Sequence, residues 1–529
     1  MLFVKRFCLG AIVVGCCAAP ALAADASTPP RPPHIVVILA DDLGYGDTGC
    51  YGATAIPTPN IDRLANEGLR FTRCYAPAST CTPTRYALMT GEYGWRQRRR
   101  KTSILDGDAP LAIEPGRPTL PAVLQSAGYH TALVGKWHLG VGDGERPVDF
   151  NGRVGPGPLE VGFDEAFYIP ATVDRVPCVF IEDHAVHRLD PADPVQISYQ
   201  RRIGQLPVGR ERPDLLKYPA DNQHSDVIIN GISRIGYMAG GRQAWWVDEE
   251  IADTLAQRCD RIIQKQYDGP LFLLVGTHDP HVPHAPHPRF VGKSQCGVRG
   301  DSIVQLDWLV GAVLDSLQRA GIAEQTLVLV TSDNGPTVFD GYDDGSVAEL
   351  GDHRPAGPLR GGKYLVDEGG CRVPLIARWP GRIESGESDE MISLVDLLPS
   401  LATLGGVAAL PAGVGADGVD ASATLLSAQS PSPRDHVVLQ GVANGFALVD
   451  GPWKFIPSNA AGAADDIGRG ANPLDTRFAE ARIAEDRLYR LDEDPSESRN
   501  LIAEHPEQAV RLRARLQAIR RAGQGTAPQ

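Results

Sequence analysis

Apolar residues in this chain fall into short unbroken runs separated by amphipathic stretches, from about residue 34 to residue 404. His34-Ile35-Val36-Val37-Ile38-Leu39-Ala40 is the first run, β-branched and without polar alternation. Such a run reads as a strand buried on both faces, the kind that parallel sheets contain. Leu271 to Val275, Thr326 to Val330 and Val373 to Ala377 repeat the texture, and Leu69 to Tyr75 and Thr131 to Gly135 add two further strands. Residues 60–68, Leu120 to Ala127, Glu249 to Gln266, Asp301 to Ala320 and Ser393 to Leu404 carry helical spacing between them. Alternating strand and helix predicts an α/β fold: a doubly wound, mostly parallel sheet flanked by helices. Ligands of such sheets bind beyond the carboxyl ends of the strands.

Two regions depart from this rhythm. Residues 145–245 are rich in Pro, Gly and charge and show little periodicity, so they read as insertions on the substrate side of a catalytic domain spanning 24–404. After residue 405 the chain becomes rich in Ala, Gly, Ser and Pro. Short antiparallel strands follow at Val437 to Gln440, Phe446 to Val449 and Trp453 to Ile456, then an amphipathic helix at Pro506 to Arg521. A smaller C-terminal α+β domain, 405–529, is expected.

Residues 1–23 read as a signal peptide. Lys5 and Arg6 precede an apolar stretch from Phe7 to Gly15, and Ala21-Leu22-Ala23 offers a small-residue cleavage site. The mature chain is then secreted or periplasmic. Val13-Val14-Gly15-Cys16 keeps open a lipoprotein anchored through Cys16. No later run is apolar for long enough to span a bilayer. The formal charge of −14 becomes −16 without the leader, which carries two basic and no acidic residues. An acidic protein does not attract polyanions globally, so nucleic acid is not an expected partner. Cys50, Cys74, Cys81, Cys178, Cys259, Cys296 and Cys371 remain after cleavage, with no Cys-x-x-Cys pair to suggest zinc or redox work.

Candidate chemistry sits where strands end. The first strand stops at Asp41-Asp42 and the Thr326 strand at Asp333-Asn334. Such pairs can cap a following helix, but two of them, each at the mouth of a different predicted parallel strand, suit a hard divalent cation, calcium or magnesium rather than zinc. Cys81 lies in Ser79-Thr80-Cys81-Thr82-Pro83-Thr84-Arg85 ahead of a short helix that Gly91 can stop. Thr80 or Thr82 can cap that helix, which places Cys81 where free N–H groups favour an anion. Lys136 and His138 follow the strand that ends at Gly135. Thr277-His278-Asp279-Pro280-His281-Val282-Pro283-His284 follows another strand and offers groups that titrate near neutrality. Gly361-Gly362-Lys363 is a tight turn carrying a cation. Arg96-Gln97-Arg98-Arg99-Arg100-Lys101 is a basic run, either a solvated loop or a patch for a polyanionic chain.

The Cys-x-Pro-x-Arg run, Gly128 to His138, the His-x-Pro elements, the Gly-Gly-Lys turn and the ending Leu488-Tyr489-Arg490-Leu491, Asp494-Pro495, Asn500-Leu501 resemble the type I, formylglycine-dependent sulfatases of the alkaline phosphatase superfamily. The resemblance implies hydrolysis of an aryl or sugar sulfate ester to an alcohol and inorganic sulfate. It implies one divalent cation, calcium favoured and magnesium possible, on Asp41, Asp42, Asp333, Asn334 and residue 81. A formylglycine-generating enzyme would convert Cys81, because hydrated formylglycine has a second hydroxyl that a thiol lacks. Arg85, Lys136 and Lys363 would face the sulfuryl oxygens, His138 would serve formylglycine, and His281 would protonate the leaving alcohol, with His278 the alternative. Arg175, His184, His187, His353 and Arg354 are candidate specificity residues by position. The superfamily keeps a phosphonate monoester hydrolase or phosphodiesterase open, and a non-catalytic binder of sulfated glycans is the reading from another class.

Overall fold

His34–Ala40 is the strand around which the sheet is built. The computed structural model describes residues 2, 32–97, 104–458 and 483–522. Thr326–Ser332 and Leu271–Gly276 flank His34–Ala40 in parallel, with Ala40 opposite Ser332. His130–Lys136 and then Glu165–Ile169 continue the parallel run on the Leu271 side. Five adjacent strands therefore present their carboxyl ends at one edge, and Ile35 to Leu39 at the centre are fully buried. This matches the unbroken β-branched pattern, since a strand covered on both faces has no position for a polar residue.

The far side of the sheet is mixed. Arg372–Arg378 pairs antiparallel with Thr326–Ser332, and Leu69–Tyr75 pairs antiparallel with Arg372–Arg378. The physical reason lies in the connection. After Ser332 the chain stays at the carboxyl edge through Asn334 and Lys363, so the next strand re-enters from that edge and must run backwards. Helices Pro59–Asn66, Ile251–Ile263 and Gly297–Arg319 pack as one group, and Cys81–Thr90, Leu120–Ser126 and Leu397–Leu404 as another. The Gly297–Arg319 helix begins before the expected Asp301, whose carboxylate instead accepts the Gly292 and Ser294 N–H groups at 2.7 and 2.8 Å.

The 145–245 region holds one five-residue strand that its composition concealed, Glu165–Ile169; the rest is strands of two or three residues, single helical turns and irregular chain. A small antiparallel sheet follows, His436–Gln440, Phe446–Asp450, Trp453–Ile456 and Arg487–Arg490 in order, with helix Pro506–Ala522 packed on it. Arg487–Arg490 is a strand that periodicity alone did not announce. Both sheets belong to one compact unit, Pro33–Gln529. All seven cysteines of that unit are unpaired. No helix among the described residues is long and apolar enough to cross a membrane.

Candidate active site

In-register strand ends assemble the acidic cluster. Asp333 N–H donates to the Ala40 carbonyl at 3.0 Å, which sets residue 333 beside residue 41. Asp42 turns with φ of 67°, a left-handed conformation that Asp tolerates better than most residues. Its N–H donates to Asp333 Oδ1 at 3.3 Å, and Asn334 Nδ2 donates to Asp42 Oδ1 at 2.7 Å. All four side chains are buried.

Cys81 opens the helix Cys81–Thr90 and is buried at its N-terminus. The expected threonine cap is absent: Thr80 is extended without a side-chain capping bond, and Thr82 donates to the His138 carbonyl at 3.1 Å. The thiol thus sits before uncapped helix N–H groups. Its sulfur lies with oxygens of Asp41 and Asp333 inside a 4.8 Å group. Burial pushes the thiol up to about 11, partly offset by Lys136 and reinforced by Asp333 and Asp41.

Each carboxylate has its own buried cation. Lys136 Nζ donates to Asp41 Oδ2 at 2.6 Å and lies 3.7 Å from Asp333 Oδ2. Lys363 Nζ donates to Asp42 Oδ2 at 2.8 Å and to Asp340 Oδ2 at 2.9 Å. Arg85 Nε donates to Asp333 Oδ2 at 2.8 Å, and Nη1 to the Lys136 carbonyl at 3.0 Å. Arg85 thus orients Asp333 through Nε, while its buried Nη2 has no hydrogen-bond partner. Burial raises the Asp41 carboxyl; for Asp42 burial acts in the same sense but Lys363, His281 and Lys136 outweigh it and hold it low. Asp41 Oδ1 and Asn334 Oδ1 are buried oxygens without hydrogen-bond partners. Open lone pairs on an all-oxygen donor set are what a hard divalent cation needs, so the residues fit one.

The histidines divide by their neighbours. His138 has φ of 54°, and its Nε2 bonds the Leu105 carbonyl at 2.9 Å, so Nε2 carries the proton. Nδ1 has no partner, and burial, then Lys136, Arg175 and Arg85, hold the ring well below the usual histidine range. His138 is thus a neutral ring with a free lone pair. His281 donates from Nδ1 to the Val282 carbonyl at 2.6 Å and points Nε2 at Asp42 Oδ2, 3.8 Å away. It groups with Asp41 and Asp42. His278 lies 3.6 Å from Asp279 and leaves Nδ1 unpartnered, while both His284 nitrogens are engaged, by Asp344 and the Pro280 carbonyl. His281 is therefore the one of the three in the acidic group.

The positional specificity candidates fare unevenly. Arg175 is buried, bonded to Asp174 at 2.8 Å and Thr172 at 2.7 Å, and acts electrostatically on His138. His184 pairs with Glu160 and His187 with Glu182, beside the outer edge of the sheet and away from the cluster. His353 bonds Asp47, which Arg299 grips with two bonds, a buried brace behind the Asp42–Gly44 turn. Arg354 is exposed, and its carbonyl accepts the Gly357 N–H at 2.8 Å. Of the basic run, Arg96 pairs with Asp417; residues 98–101 lie outside the described residues. Asp340, which holds Lys363 and accepts from Tyr364 at 2.8 Å, sits in a Gly- and Asp-rich loop with no pattern to mark it.

A sulfatase family model matches residues 33–407. The chain belongs to the sulfatase family. It is 42% identical over 493 residues to the N-acetylgalactosamine-6-O-sulfatase of Bacteroides thetaiotaomicron, covering 92% of this chain and 93% of that protein. Human arylsulfatase A is 35% identical over 481 residues, with 89% and 84% covered. Among solved structures, a Bacteroides thetaiotaomicron sulfatase from work on glycosaminoglycan metabolism superposes with a TM-score of 0.86 at 42% identity, over 92% of this chain and 99% of that one. A Pseudoalteromonas sulfatase gives 0.67 at 25% identity, over 94% and 92%. These relatives are sulfuric ester hydrolases, and sulfate ester hydrolysis is the chemistry of this sulfatase.

Proposed function

We propose that this sulfatase removes the 6-O-sulfate of N-acetylgalactosamine residues, using formylglycine made from Cys81 as nucleophile. The observation that carries the chemistry is Cys81 itself: buried at an uncapped helix N-terminus, between Asp41 and Asp333, with Lys136 across the same group. The substrate reading rests on the relative of that activity, matched over nearly the whole of both chains.

Formylglycine, as its hydrate, would supply one hydroxyl to attack sulfur and a second to release sulfate. Asp41, Asp42, Asp333 and Asn334 would hold the cation, calcium favoured and magnesium the alternative, which stabilises developing negative charge. The chain's own groups do the rest. Arg85 keeps Asp333 in place. Lys136 and Lys363 bring two ammonium groups to the sulfuryl oxygens, in a buried setting where fixed charge is most effective. His138 accepts a proton at its free Nδ1. His281 delivers a proton from Nε2 to the departing sugar oxygen. The leader at 1–23, outside the described residues apart from Leu2, would place this reaction in the periplasm or outside the cell.

The test is a desulfation panel with galactosamine 6-sulfate, galactosamine 4-sulfate and glucosamine 6-sulfate sugars, 4-nitrophenyl sulfate and an aryl phosphodiester. The highest kcat/KM should fall on N-acetylgalactosamine 6-sulfate. Preference for another sulfated sugar would overturn the substrate, and preference for the phosphodiester would overturn the reaction class.

A further inference from the structure

Resting on the reading of Lys363 as a sulfate ligand, we infer that Lys454 and Glu497 are positioning residues that lock the Lys363 loop, and the segment leading to Cys81, onto the C-terminal sheet. The starting observation is a pair of acids and one lysine with almost no solvent. Lys454, Glu368 and Glu497 are all completely buried. Lys454, in the strand Trp453–Ile456, places Nζ 3.0 Å from Glu368 Oε1 and 3.0 Å from Glu497 Oε1. Glu497 Oε2 accepts the Glu368 backbone N–H at 2.6 Å. Glu368 Oε2 takes the Tyr75 hydroxyl at 2.9 Å, and Arg372 stands 3.4 Å away.

Burying a lysine with two carboxyl groups is costly and is rarely a route to stability by itself, and burial pushes the Glu497 carboxyl up to about 7. Glu497 adds a second oddity, a φ of 53° in a residue other than glycine. A strained backbone bearing a buried carboxyl group marks a place where geometry matters more than local comfort. Asp494 and Asn500 shape the turn around it: Asp494 accepts from Arg499 N–H at 2.9 Å, and Asn500 from Leu488 N–H at 3.0 Å.

What the lock grips explains its place. Glu368 heads the four-residue helix Glu368–Cys371, directly after the Lys363 loop. Gly369 N–H closes that loop onto the Arg360 carbonyl at 2.7 Å. Tyr364 N–H donates to Ser79, two residues before Cys81, at 2.8 Å, and the Tyr364 carbonyl accepts from Val442 at 3.1 Å. Ser79 and Gln440 are bonded at 2.8 Å and Pro77 and Gln440 at 3.0 Å, so the small sheet's first strand extends onto the approach to Cys81. Gly335, next to Asn334, donates to the Gly370 carbonyl at 2.9 Å. A Cβ on Gly335 would meet the Gly369 carbonyl at 1.8 Å, so this joint has no slack. Lys363, Cys81 and Asn334 are thereby referenced to one hub, and the C-terminal sheet holds it through Lys454 and Glu497.

The test uses the full-length mature enzyme and inorganic sulfate as the calorimetric probe, below the unfolding temperature of every variant. Glu497→Gln keeps the side-chain shape and removes the carboxyl group; Lys454→Met is measured beside it. Each should weaken sulfate binding about tenfold and raise KM for 4-nitrophenyl sulfate, since displacements of about 1 Å at such groups are costly. Lys363→Ala should weaken sulfate at least as much, and adding Glu497→Gln to it should weaken binding no further, because residues acting through one another are not additive. Parent-like sulfate binding in Glu497→Gln, or a loss that adds in full to that of Lys363→Ala, would overturn the lock. Parent-like binding in Lys363→Ala would overturn the role of Lys363 and the lock together.

Discussion

Arg85→Lys isolates the link between the Cys81 helix and the acidic cluster. Arg85 holds Asp333 through Nε at 2.8 Å, with Nη2 also 2.8 Å from the same oxygen, and anchors itself on the Lys136 carbonyl. Lysine keeps the charge but cannot reproduce the planar fork. Asp333 should keep a cation beside it yet lose its fixed orientation. Loss of a partner that orients a metal ligand lowers metal affinity by about 10- to 100-fold. At calcium one hundred times the parent dissociation constant, the parent should gain ~2.7 kcal/mol of stability, and the variant ~1.4 down to ~0.4 kcal/mol at the same concentration. The assay is urea unfolding of each protein with calcium and after chelation. Taking the difference within each protein removes the variant's own folding cost. Arg434→Lys is the control, because Arg434 grips Asp396 at 2.6 Å in an equally buried pair away from the cluster. It should lower stability and leave the calcium increment intact. A full calcium increment in Arg85→Lys would refute the orienting role. No increment in the parent, with calcium or magnesium, would refute the cation site.

Other perturbations separate the remaining groups. Peptide mass spectrometry of active enzyme should find an aldehyde at position 81, and Cys81→Ala should fold normally and turn nothing over; unmodified Cys81 in fully active enzyme would end the formylglycine reading. His281→Ala should slow sugar sulfates far more than activated aryl sulfates, whose alcohols leave without a proton; equal losses would make it a binding residue, and a larger loss at His278 would move the role there. His138 is held well below the usual range by burial and then by Lys136, Arg175 and Arg85, so below pH ~6.5 the unfolded chain takes a proton that the folded one refuses. Stability should therefore fall with pH there, by up to ~1.4 kcal/mol per unit, and His138→Gln should lack that contribution between pH 6.5 and 5. Identical slopes in parent and variant would contradict the buried neutral ring.

Strand-end chemistry was legible because its signal is abrupt. A strand with no polar position that stops at Asp-Asp or Asp-Asn announces both its burial and its mouth, and Asp41, Asp42, Asp333 and Asn334 meet as that reading expects. Direction was not legible for Arg372–Arg378, since an apolar strand looks alike in either sense and only the path of residues 333–371 decides it. Glu165–Ile169 was hidden by its short length among glycines and charges. Asp340 was invisible because a carboxylate in an irregular loop has no period, and its value depends on Lys363 arriving from elsewhere. The helix cap misled for the opposite reason: Thr82 fits the local rule, but a non-local carbonyl, His138, takes its hydroxyl. Arg175 was placed by position alone, and the partner that defines it, Asp174, was not foreseen.

The bond between Asn334 and Asp42 joins residues 292 positions apart. Neither half of the donor set has meaning without the other, and the two meet only when the first strand of the sheet has accepted the Thr326–Ser332 strand beside it. A chain still emerging from the ribosome, or one cut anywhere between them and parted, holds fragments of chemistry and no site. Catalytic competence is consequently a late event on this chain's timeline. Activity per molecule counts finished folds, so partly assembled copies should register as silent protein rather than as slower enzyme.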